Sequence, residues 1–170
     1  MKRISFIDTE VSESDNKAYD FGAVNGNESK LHTGSIHDFH EFIANSEYLC
    51  GHNIIDHDSK FIEVPASAKL IDTLYLSPLL FPNKPYHRLL KDDKLLTDEL
   101  NNPLNDAVKA KELFYDEVNA FDELDEELKF IYYYPDIAAK VMTVEPYYEP
   151  MGAIKDRVEA QKINPPQDVI

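Results

Sequence analysis

The sequence predicts an α/β fold in one domain, from three observations. Short strand-like segments dominate the first half, turn signals separate them, and apolar residues at helical spacing follow in the second half. Residues 2–11 read as a strand running into the interior, and 17–24 and 29–34 as two more around the turn signal Asn25-Gly26-Asn27, an antiparallel start. Ser35 with Asp38 resembles a capping box, and Phe39, Phe42 and Ile43 then place a helix over about 36–45. Tyr48-Leu49-Cys50 suits a buried strand. If a helix follows, Ile54, Asp58, Phe61 and Ile62 share one face, and Ala68 to Asp72 reads as a further strand. From 74 to 100 the pattern loosens around Pro78, Pro82 and Pro85. Asn102 is an expected N-cap with Pro103 at the first helical position, opening a helix to about Val118. A second, very acidic helix is expected to carry Phe121, Leu124, Leu128 and Ile131. The domain is expected to span 1–134, with 135–170 a proline-containing linker or docking segment.

With 170 residues, 43% of them hydrophobic, the chain can bury one substantial core and is too short for two ordinary domains. A single cysteine, Cys50, excludes an internal disulfide and argues against a thiolate zinc site. No stretch has the uncharged apolar length that spans a bilayer, and the N-terminus lacks a signal-peptide pattern, so the expected compartment is the cytoplasm and no membrane partner is expected. The net charge of −15 runs against nucleic-acid binding by surface Lys and Arg. Bound divalent cations would reconcile it with a phosphodiester substrate by concentrating positive charge where a phosphate must sit.

Asp8 and Glu10 stand two apart on the first strand, so both side chains leave the face that carries Ile4 and Phe6. Asp58 falls on the apolar side of its expected helix, whereas Asp56 projects with Ser59 and Lys60. Asp106 shares a stripe with Ala110 and Leu113 in the first turn of its helix, where the dipole favours a carboxylate. Four acids directed at one interior repel one another and lose hydration unless a cation neutralises them, and hard divalent ions such as Mg²⁺ or Mn²⁺ take oxygen ligands.

Three segments carry a specific resemblance. Phe6-Ile7-Asp8-Thr9-Glu10 resembles the first motif of DEDD-superfamily 3′-5′ exonucleases, Gly51-His52-Asn53-Ile54-Ile55-Asp56-His57-Asp58 looks like the second, and Asn101-Asn102-Pro103-Leu104-Asn105-Asp106-Ala107 looks like the third. The second is most similar to versions in exonuclease domains fused to RecQ-type DNA helicases. The resemblance covers about residues 3–118. It implies a ribonuclease H-like mixed five-stranded sheet flanked by helices, with two Mg²⁺ or Mn²⁺ ions held by Asp8, Glu10, Asp58 and Asp106. It also implies nucleotides released from a 3′ end, for which single-stranded DNA is the expected substrate, and a fragment of a larger protein with a helicase domain as possible partner.

One departure stands out. Where the common subfamily has a His five residues before the last Asp, this chain has Asn101, and at the Tyr subfamily's position it has Asn102; neither amide accepts a proton near neutral pH. Either a cation acidifies the water enough, or another His serves, with His87 the best substitute, or catalysis is lost. Thr9, His52, Asn53, Lys84 and Arg88 are the expected substrate contacts. His52 and Asn53 are equally able to bond the motif's own backbone, and Lys84, Arg88 and Lys91 to form an ordinary solvated charge cluster beside Asp92 and Asp93. The expected function is a metal-dependent 3′-5′ exonuclease, and the alternative is a catalytically silent module that keeps the fold and binds nucleic acid or protein.

Overall fold

A computed structural model describes residues 3–26, 28–89 and 102–133. Asn101, Lys91 and the 135–170 segment lie outside the described residues. Strands β1 (Ile4–Val11), β2 (Ala18–Asn25), β3 (Lys30–Thr33), β4 (Tyr48–Gly51) and β5 (Lys69–Asp72) form one mixed sheet in the order β3-β2-β1-β4-β5. β2 runs antiparallel to β1 and β3, while β1, β4 and β5 are parallel. Helices α1 (Ile36–Ile43), α2 (Thr73–Leu80), α3 (Pro103–Asp122) and α4 (Glu126–Tyr133) complete the described elements. This is the expected α/β architecture, consistent with a ribonuclease H-like fold.

Alternation along the strands sorts the core into two layers. Phe6, Val24, Tyr48, Cys50 and Ile71 pack with Leu76 and Leu80 of α2 and with Phe114, Val118 and Phe121 of α3. Ile7, Phe21, Ala23 and Leu49 face the other way and pack with Phe39 and Ile43 of α1 and with Ile54. Because β1 is covered on both faces, its residues 5–7 are all buried.

The expected caps form. Ser35 Oγ accepts from the Asp38 N–H (3.3 Å), and Asn102 Oδ1 accepts from the N–H groups of Leu104 (3.0 Å) and Asn105 (3.3 Å), ahead of Pro103.

Four expectations need correction. α1 ends at Ile43 rather than 45. No α-helix carries Asp58: residues 52–57 form turns, and a single 3₁₀ turn, Asp58–Lys60, follows. The loosened region contains α2, with Pro78 inside it. The Asp72 carboxylate caps that helix by accepting from Leu74 N–H (2.9 Å), and Thr73, Leu76, Ser77 and Leu80 are buried, which offsets the bond Pro78 cannot donate. Finally, α3 continues to Asp122 and takes Phe121 with it, so α4 begins only at Glu126. Among the described residues no helix is long and apolar enough to cross a membrane.

Candidate metal centre

The parallel strands β1, β4 and β5 all end on one edge of the sheet, where an open α/β sheet offers its crevice. β1 runs on past the last residue it pairs with β4, Phe6 opposite Cys50, and so carries Asp8, Thr9 and Glu10 beyond its neighbour. By strand parity Asp8 and Glu10 share the Phe6 face, which is the face covered by α3.

A glycine brings α3 close enough to meet them. Asp8 pairs across the ladder with Gly22 on β2, and a methyl group at Gly22 would overlap the backbone of Pro103 and Leu104. The start of α3 therefore lies directly on β2 beside Asp8, and only a residue without Cβ permits that approach. Asp106 follows in the first helical turn. One carboxylate oxygen from each of Asp8, Glu10 and Asp106 lies within 4.8 Å of the other two, and all three residues are half-buried. Lys109 Nζ stands 3.9 Å from Asp106 Oδ1, one turn along α3. Three hard oxygen donors at this spacing suit a divalent cation.

Asp58, the expected fourth member, is not part of this cluster. It is 1% exposed, and its Oδ1 accepts both the Thr9 N–H (2.9 Å) and the Thr9 hydroxyl (2.8 Å). Thr9 lies on the opposite strand face from Asp8 and Glu10, so Asp58 holds β1 from the α1 side and occupies the N–H that β4 no longer reaches. The inward direction read for Asp58 is correct, although a turn rather than a helix delivers it. Asp56 is exposed and accepts from the Tyr75 hydroxyl (2.5 Å).

The expected substrate contacts divide. Thr9 is 3% exposed and donates to Asp58 through both its polar groups. His52 Nε2 accepts from Leu89 N–H (3.1 Å), which leaves Nδ1–H to donate to Thr73 Oγ1 (2.9 Å); the Thr73 hydroxyl in turn faces Gly51 O at 3.4 Å. Burial lowers the His52 pKa to about 4, against the pull of Asp58 and with help from Arg88, so the ring is a neutral brace. Asn53 sits at φ 73° and donates its N–H to Asp72 (2.9 Å). Lys84 and Arg88 are exposed, with Lys84 Nζ 3.8 Å from the Phe81 ring centre. His87 Nδ1 is 2.9 Å from Ser77 Oγ.

His57 is half-exposed, packs against Phe61 at 5.4 Å between ring centres and places Nδ1 3.7 Å from Asp58 Oδ1. Its contact with Asp58 raises its pKa, opposed by partial burial and supported by the charge of Glu10.

Two buried acids escaped the sequence reading. Asp72 is fully buried and gathers N–H groups from Asn53, Leu74 (both 2.9 Å) and Ile55 (3.0 Å). Glu117 is 1% exposed, and neither carboxylate oxygen has a hydrogen-bond partner. Burial, with Asp72 adding to it, pushes its pKa to about 9. A signal for Glu117 was present: Ala107, Ala110, Phe114, Val118 and Phe121 set the buried stripe of α3, and position 117 lies in it. The stripe expected through Asp106 and Leu113 is displaced by about one residue, both being half-buried.

Comparisons with protein-family models, with curated proteins and with solved structures found no match to this chain.

Proposed function

We propose that this chain is a metal-dependent 3′-5′ exonuclease domain of the DEDD type, acting on single-stranded DNA. The observation that carries the reading is the convergence of Asp8 and Glu10, from the end of the central strand, with Asp106, from the first turn of α3. These three residues are the ones that the first and third motifs of the resemblance single out. Asp8, Glu10 and Asp106 would hold Mg²⁺ or Mn²⁺, two ions in the full arrangement, with Asp58 keeping Thr9 and thus the strand end in place. A divalent cation held there would supply Lewis-acid charge at the scissile phosphate and would acidify the attacking water. The carboxylates orient that charge, and their half-buried setting limits competing solvent.

One observation favours a second reading, a silent module that binds nucleic acid or protein. Asn102 cannot take a proton, and its side-chain oxygen is already committed to capping α3. The test is degradation of 5′-labelled single-stranded DNA in Mg²⁺ or Mn²⁺, with Asp8→Ala and EDTA as controls. A ladder shortening from the 3′ end in the wild type only supports the exonuclease. Manganese binding without cleavage selects the silent module.

A further inference from the structure

Residues 81–89, which follow α2, are braced at several points. Lys84 N–H bonds Phe81 O (3.0 Å), His87 meets Ser77 (2.9 Å), and Leu89 N–H is held by His52 (3.1 Å), the residue immediately after β4. That strand end lies beside Phe6 and Ile7 of β1, just before Asp8. The Leu89 bond to His52 thus sets the neighbouring Arg88 at the carboxyl edge of the parallel strands, the edge along which β1 carries its acids. In the middle of this braced loop Tyr86 is 79% exposed, the most exposed of the large hydrophobic residues among those described. Exposed Lys84 and Arg88 flank it two residues away on either side, in a chain of net charge −15.

An exposed aromatic face between two cations matches the two invariant features of a single-stranded nucleic acid, a π-face on every base and a phosphate on every link. We propose that Tyr86 is a stacking platform for a base of a single strand entering the acid cluster, with Arg88 and Lys84 contacting its phosphates. This rests on the nucleic-acid reading of the site and adds the residues that grip the strand away from the scissile bond. Preorganisation by the His52 and His87 contacts lets stacking proceed without first ordering the loop.

The experiment uses the full chain and phosphorothioate-linked dT10 and U10 carrying 2-aminopurine and a 5′ fluorophore, so that binding is read by anisotropy and stacking by quenching, without turnover. Wild type should bind and quench. Tyr86→Ala should bind roughly tenfold more weakly and lose the quench, while Tyr86→Phe should retain both. Arg88→Ala should weaken binding and lower the salt slope by about 1. Equal binding and quenching by wild type and Tyr86→Ala overturns the platform, as does failure of wild type to bind either strand. Binding that depends on Tyr86 without hydrolysis of ordinary DNA keeps the platform and removes the exonuclease. Preference between dT10 and U10 assigns the strand as DNA or RNA.

Discussion

The molecule contains two groups of acids, and their surroundings treat the charge in opposite ways. Asp72 and Glu117 lie deep beside Cys50, where Asp72 is held by backbone N–H groups and Glu117 by its own proton. The Cys50 thiol, pushed up strongly by burial and then by these two acids, stays uncharged as well. Asp8, Glu10 and Asp106 are only half-buried and converge. Burial of an acid thus does not by itself mark a site. What distinguishes the second group is several carboxylate oxygens converging at a sheet edge, where a cation can enter and leave.

The comparison breaks most sharply at Gly22. Gly22→Ala drives a methyl into the Pro103–Leu104 backbone and should cost about 3 kcal/mol. Because the same displacement carries Asp106 away, the variant should also lose Mn²⁺ binding, as measured by calorimetric titration alongside thermal unfolding.

Within the buried group, Asp72→Ala strands the N–H groups of Asn53, Ile55 and Leu74 and should destabilise by about 2–3 kcal/mol in urea unfolding. Glu117 gives the opposite sign. Its folded pKa of about 9 exceeds the ordinary 4.5, so the folded state binds more protons between those values. Wild-type stability should therefore fall as pH rises across that window, by at most about 1.4 kcal/mol per unit, and level off above it. Glu117→Gln removes that slope and should be the more stable protein at pH 8, by on the order of 2 kcal/mol. Parallel pH profiles for wild type and variant would refute this assignment.

The converging group should hardly register without metal. Asp106→Asn is expected to change stability by less than about 0.5 kcal/mol in EDTA. It should abolish the stabilisation that Mn²⁺ confers on the wild type, about 2.7 kcal/mol at a hundredfold excess over Kd. An unchanged Mn²⁺ shift in the variant would remove Asp106 from the centre.

Much of this arrangement was legible in short stretches of sequence. Alternation placed Asp8 and Glu10 on one strand face, and Asn102-Pro103 announced the start of α3 and so the height of Asp106. The inward turn of Asp58 was also readable, because apolar neighbours surround it whether the backbone is helical or not. What stayed hidden depends on partners distant in sequence. Pro78 reads as a breaker until Asp72 and a buried α2 face are known to hold that helix. Asp58 stands outside the cluster, with its Oδ1 bonded to Thr9, 49 residues earlier. Gly22 reads as a featureless strand residue until α3 is placed on it.

The pairing of β1 with β2 holds one further consequence. Its register shifts only between Glu10 and Val11, after both acids have passed. Since alternate residues face opposite sides, a slip of one position anywhere upstream would turn Thr9 toward α3 and both carboxylates toward α1. A one-residue insertion before Asp8 should therefore be met in one of two ways. The chain can absorb it in a new bulge and keep its acids, or let the strand slide and turn both carboxylates away from Asp106. The site is written in odd and even.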